Sequence, residues 1–100
     1  MLNQLYDIWQ TQSDPLFDEH DYMEMAYRLA IMRPREWKDI LNRQRMLLKD
    51  DLTREEFDFV SRACTPDTQT RQDLANSLNK PQEKQHKRWA QHVLRLLNNR

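Results

Sequence analysis

Residues 17–34 of the chain read FDEHDYMEMAYRLAIMRP. Asp18 is suited to cap the start of a helix, and Pro34 is suited to end it. Two apolar stripes at helical spacing run between them: Tyr22, Met25, Ala26 and Leu29, and Met23, Tyr27, Ala30 and Ile31. A helix that is apolar on nearly all sides is either central in its fold or covered by a partner. We expect a central helix over 19–32; the alternative is that Met23, Tyr27 and Ile31 contact a partner protein.

The rest of the chain repeats helical spacing and contains no glycine among its 100 residues. Glycine supplies the positive φ that tight hairpins and phosphate-binding loops need, so strand-rich folds and nucleotide loops are disfavoured. We therefore predict an all-α fold, a single compact domain over 1–100 with five or six short, bundle-like helices. Besides 19–32, the predicted helices cover about 2–9, 37–49, 53–64, 70–78 and 82–98.

Local signals predict how several of these helices begin and end. Phe17 and Tyr22 have the spacing of a hydrophobic staple around the Asp18 cap. Thr53 and Glu56 have the spacing of a capping box, with Leu52 and Phe57 as its staple, and Thr70 with Asp73 resembles another cap. Asn79 is the residue expected to take positive φ in place of glycine.

Charge is balanced overall, with sixteen basic and sixteen acidic residues, but it is unevenly distributed. Residues 1–31 contain six acidic residues against Arg28 alone, whereas residues 80–100 contain six basic residues against Glu83 alone. Such asymmetry can orient the encounter with a charged partner. A general attraction to nucleic acid is not indicated by the net charge.

Several classes of chemistry are disfavoured. The single cysteine, Cys64, cannot form an intrachain disulfide and suits a reducing, cytoplasmic setting. The longest apolar run, 29–32, is too short to cross a bilayer, and the first residues lack the pattern of a signal peptide. His20 and Glu24 are better explained as residues at a helix start than as metal ligands. Without a nucleophile motif or ligand cluster, we expect no enzyme activity, metal, cofactor, small-molecule substrate or membrane partner.

Residues 70–90 resemble a helix-turn-helix motif. A short helix would pack on the core through Leu74, Ala75 and Leu78. The following helix would present hydrogen-bond donors to base edges and phosphates. These candidate contact residues are Lys84, Gln85, Lys87, Arg88, Gln91 and Arg95. The pattern departs from the motif because glycine is missing from the turn, Gln85 occupies a position that is usually β-branched, and no wing follows.

Two hypotheses about function remain. The first is a non-enzymatic adaptor, inhibitor or modulator that binds a larger macromolecule, in the first instance a protein, by analogy with small accessory proteins that modulate nucleic-acid enzymes. The second is a helix-turn-helix DNA-binding regulator that uses the helix at about 82–98. Both hypotheses use the same basic residues as contacts. The sequence leaves open whether the protein is a monomer or a homodimer.

Overall fold

The computed structural model describes residues 2–80, 84 and 86–98. Within these ranges the chain forms six α-helices and one 3₁₀ turn, and no strand. The helices are α1 (Leu2–Thr11), α2 (Glu19–Met32), α3 (Trp37–Leu47), α4 (Asp51–Ser61), α5 (Thr68–Leu78) and α6 (His86–Asn98), and the 3₁₀ turn is Arg62–Cys64. The radius of gyration is 13.6 Å, the value expected of one globule of this length. The predicted all-α class is confirmed.

Helix α2 is the centre of the first half of the fold. It packs against α1, α3 and the 3₁₀ turn, and its buried residues lie on both predicted stripes. Asp18 caps it through a hydrogen bond from the Asp21 backbone N–H, and the Asp21 side chain accepts from the Asp18 N–H. The rings of Phe17 and Tyr22 meet edge to face with centroids 6.0 Å apart, as the predicted staple requires.

The second half of the fold is built around the 3₁₀ turn. Ala63 and Cys64 of this turn are buried, and the turn packs against α2, α4, α5 and α6. Helix α6 packs on α4 and α5 through Ala90, Val93 and Leu96. No helix in the described part of the chain combines the length and apolar character needed to cross a membrane.

Two predicted helix caps are wrong by one turn. Helix α4 begins after Asp50, whose carboxylate accepts from the Thr53 backbone N–H at 3.0 Å and from the Thr53 hydroxyl at 3.2 Å. Helix α5 begins after Asp67, which accepts from Thr70 in the same way. Aspartate outranks threonine as a cap, so each threonine becomes the donor three residues inside the helix. Leu52 is consequently 57% exposed and does not form the predicted staple with Phe57.

The predicted site of positive φ is also wrong. Asn79 has φ −76° and ψ −8°, which is ordinary right-handed backbone. Within the described ranges, Gln12 is the non-glycine residue with positive φ, at 45°. It follows α1 directly, where a left-handed residue commonly ends a helix.

A buried amide holds the end of α1 against α3. Gln44 is 1% exposed, and its Oε1 accepts hydrogen bonds from Trp9 Nε1 at 2.8 Å and from Gln12 Nε2 at 2.7 Å. Gln44 lies one turn after the buried Ile40 on the same side of α3, so spacing alone could have placed it inside. Its two partners lie more than 30 residues away in sequence and could not be read from the pattern.

Candidate functional site

The outer side of α6 is a basic face, formed by Lys87, Arg88, Gln91 and Arg95, all four exposed. The opposite side of the helix is buried through Ala90, Val93 and Leu96, so the backbone beneath the basic face is held firmly. The described helix contains no aspartate or glutamate. Four of the six residues predicted to contact a partner or nucleic acid therefore share one surface.

The remaining two candidate residues lie before α6. Lys84 is exposed and in a turn, so the continuous helix predicted from residue 82 is wrong, and Gln85 lies outside the described residues. Seven positions, 79–85, separate the end of α5 from the start of α6. A helix-turn-helix typically joins its helices by three or four residues, and α5 and α6 depart from that spacing.

Some cations elsewhere in the described chain are paired with carboxylates, whereas six others have no carboxylate within 4.0 Å: Arg35, Lys38, Arg43, Lys49, Arg62 and Arg71. Arg45 donates to both carboxylate oxygens of Asp58, at 2.8 and 3.1 Å, and Arg54 pairs with Asp51. Looser pairs join Arg28 to Glu24 and Arg33 to Glu36. On α6 the cations without partners share one face: within the described residues, no carboxylate lies within 4.0 Å of Lys87, Arg88 or Arg95. The cations of the basic face are therefore free to meet an external anion.

A cleft of about 450 Å³ runs along one flank of the basic face, between α6 and the first turns of α2 and α4. We call it the α6 cleft. Trp89 and Leu52 supply its apolar surface, while Arg88 and Arg95 carry cationic groups at its α6 side. Its lining residues are His20, Leu52, Glu56, Arg88, Trp89, His92 and Arg95. Three separate helices contribute to it, which is why sequence spacing did not bring these residues together.

A hydrogen bond ties α6 to α2 beside the cleft. His92 Nε2 and Glu24 Oε2 are 2.8 Å apart. The hydrogen bond from His92 is the main reason that the pKa of Glu24 is lowered; burial opposes the shift, and the charges of His92, Arg28 and Arg95 reinforce it. Glu24 is therefore held as a carboxylate, with His92 as its partner rather than the His20 that lies four residues before it.

The burial of Met23 and Tyr27 agrees with the expected central helix and contradicts the alternative in which these residues contact a partner protein. They are 2% and 1% exposed, because α2 is covered on both apolar stripes. Tyr27 stacks on Phe57 and meets the His92 ring edge to face. Burial, followed by the charge of Glu56, raises the pKa of Tyr27, so its hydroxyl stays neutral. Ile31 is half-buried and packs against the core.

Cys64 and His86 are packed in the core or against it. Among the described residues, no group of three or more histidine, cysteine or acidic side chains could hold a metal ion. Cys64 is buried, with its Sγ 3.6 Å from the carbonyl oxygen of Tyr27. His86 is three-quarters buried against Phe59 and Trp89, at the edge of the core.

Comparisons with family models, with curated proteins and with solved structures each return no match to this chain. Function is therefore inferred from the geometry and charge of the molecule.

Proposed function

We propose that this protein is a non-enzymatic adaptor or modulator that binds another protein through the basic face of α6. The observation that carries the proposal is the clustering of cations without carboxylate partners on one face of one helix. Lys87, Arg88 and Arg95 lie together on the basic face, and no carboxylate of the described chain lies within 4.0 Å of any of them. Cations without an intramolecular partner stay solvated in the free protein, and the helix already fixes their backbone. An acidic surface can therefore bind them at a small cost in conformational entropy.

The surroundings of the basic face favour a protein over a nucleic acid. Glu56 lines the adjacent cleft, Glu24 lies beside it, and Glu19 and Asp21 are exposed in the first turn of α2. A phosphate backbone gains affinity by neutralising charge along a continuous positive track, and these carboxylates interrupt such a track. A protein partner can instead place acidic groups opposite α6 and neutral or basic groups opposite α2.

The experiment that tests the proposal compares three immobilised baits. The first is the wild-type chain, the second carries Lys87→Glu, Arg88→Glu and Arg95→Glu, and the third is a control with the same change in net charge. The control reverses Arg35, Lys38 and Lys49, which are exposed and lie outside α6. Extracts from the source cell are treated with nuclease before capture, so that nucleic acid cannot bridge bait and prey.

We expect at least one protein to be retained by the wild type and the control, and to be reduced roughly tenfold or more on the α6 variant. Retention should also weaken with added salt, because exposed charges are screened. Equal capture by all three baits would overturn the assignment to α6. Loss of all capture after nuclease treatment would favour nucleic acid as the ligand instead.

A further inference from the structure

The α6 cleft combines two apolar side chains with two arginines, on a lining that also contains His20, Glu56 and His92. Leu52, 57% exposed, and half-buried Trp89 form its apolar surface. Arg88 and Arg95 lie seven residues apart on α6, two turns along the same side, and both line the cleft. An apolar residue entering between α4 and α6 would bury Leu52 and bring neighbouring anions to the two arginines.

The chain itself contains a segment of this chemistry. Leu16 is 84% exposed and lies in the sequence Asp14-Pro15-Leu16-Phe17-Asp18-Glu19. Three carboxylates flank this aliphatic side chain, those of Asp14, Asp18 and Glu19. The Leu16 side chain is not buried in the core of its own chain.

The turn that presents Leu16 is preorganised. The Leu16 N–H donates to Asp14 Oδ1 at 2.9 Å, and the Phe17 N–H donates to the Asp14 carbonyl at 3.2 Å. The Tyr22 hydroxyl accepts from the Asp14 N–H and donates to the Asp14 carbonyl. These hydrogen bonds hold the turn in one conformation, so Leu16 loses little further conformational entropy on binding. This favours Leu16 as an anchor residue.

We propose that Leu16 of one copy inserts into the α6 cleft of a second copy, so that the chain forms a two-fold symmetric dimer. Leu16 precedes His20 by four residues, and His20 lines the cleft. Leu16 and one lining residue of the cleft therefore belong to the same short segment around the start of α2. In the proposed dimer each Leu16 enters the other copy's cleft, which is the self-complementary arrangement of an isologous contact. The carboxylate of Glu19 then approaches Arg88 and Arg95 of the other copy.

This dimer does not depend on the proposed function. It does share Arg88 and Arg95 with the basic face, so an acidic partner and a second copy compete for part of α6. Lys87 does not line the cleft. Lys87→Glu should therefore weaken capture of a partner and leave self-association unchanged, which separates failure of one proposal from failure of the other.

The test is sedimentation equilibrium of the full chain over a range of protein concentrations. We expect a monomer–dimer equilibrium in the wild type. Leu16→Ala should raise the dissociation constant roughly 100-fold, because two leucine side chains per dimer lose their burial. The matched control is Met46→Ala: Met46 is 85% exposed on α3 and lies outside the cleft, so its removal should leave the constant unchanged.

A charge exchange tests the orientation of the two copies. Glu19→Lys alone, and Arg88→Glu with Arg95→Glu, should each weaken the dimer about tenfold, and the combined variant should recover most of that loss. Circular dichroism of each variant checks that the helices are intact. A wild type that stays monomeric up to about 1 mM would overturn the proposal. A dimer that responds to Met46→Ala and not to Leu16→Ala would also overturn it.

Discussion

His92 of α6 and Glu24 of α2 are joined by a hydrogen bond of 2.8 Å across 68 positions of the chain. The bond connects the acidic first part of the sequence to its basic last part, at the flank of the α6 cleft. It also orients the His92 ring against Tyr27, with centroids 5.4 Å apart. The position of α6 on α2 is thus set by a polar contact as well as by packing.

This bond should make stability depend on pH in the acid range. The pKa of Glu24 is lowered in the folded state from an ordinary value of 4.5. Its contribution is therefore fully present above that value and is lost as pH falls through the lower folded pKa. Because the carboxylate is partly open to solvent, we expect about 1 kcal/mol or less. Urea unfolding from about pH 3 to pH 7 measures this dependence.

The matched variants are Glu24→Gln and Glu19→Gln. Glu24→Gln should flatten the acid limb of the stability curve, whereas Glu19→Gln, at an exposed position of the same helix, should leave the limb largely as it is. Identical acid limbs in the wild type and Glu24→Gln would contradict the role assigned to the bond.

Replacing the buried amide with Gln44→Leu should destabilise the protein by about 2 kcal/mol. The substitution leaves the indole N–H of Trp9 buried without an acceptor, and an unsatisfied buried donor costs roughly 1–3 kcal/mol. Denaturant unfolding at neutral pH gives the difference. In the Trp9→Phe background, which has no such donor, Gln44→Leu should destabilise the protein clearly less than it does in the wild type. Equal costs in the two backgrounds would show that the hydrogen bond is not the cause.

The left-handed backbone at Gln12 predicts an unusual order for alanine and glycine. Both Gln12→Ala and Gln12→Gly remove the hydrogen bond to Gln44, so their difference isolates the backbone. We expect the glycine variant to be more stable by about 1 kcal/mol, because a Cβ is unfavourable at positive φ. At Gln10, inside α1, the order should reverse by a similar amount. Thermal or urea unfolding of the four variants measures both differences in stability.

The position of the α4 cap can be tested by neighbouring substitutions. Asp50→Ala should cost about 1 kcal/mol, because it removes the acceptor for the Thr53 N–H. Asp50→Asn should preserve most of that stability, since asparagine is also a good cap. Thr53→Val keeps the backbone donor and loses only the hydroxyl, so we expect a smaller loss than for Asp50→Ala. A larger loss of stability for Thr53→Val than for Asp50→Ala would instead identify Thr53 as the cap of α4.

Much of the fold could be predicted because the information is local. The alternation of apolar and polar residues at helical spacing places Leu29, Val60 and Val93 inside, and all three are fully buried. The cap and staple around Asp18 were also predictable, since their residues lie within one turn of each other. The caps at Asp50 and Asp67 show the limit of local patterns. Each segment contains two capping residues three positions apart, and aspartate takes the role while threonine supplies the donor.

The candidate site was predictable only in part. The basic face follows from sequence, because Lys87, Arg88, Gln91 and Arg95 alternate with the apolar stripe of one helix. The α6 cleft does not, because Leu52 and His20 reach it from other helices. Sequence alone left open whether the stripe of Met23 and Tyr27 is covered by the fold or by a partner, and the structure shows that neighbouring elements of the fold cover it.

The sequence by itself determined that this protein is helical, that it has an acidic first part and a basic last part, and which side of α6 faces outward. These properties depend on neighbours within one or two turns and on composition. Only the tertiary structure decided which cations stay unpaired, that His92 meets Glu24, and that Trp89 and Leu52 line one cleft beside an exposed Leu16. Contacts between distant segments depend on how helices pack in three dimensions, and helical periodicity carries no information about that packing.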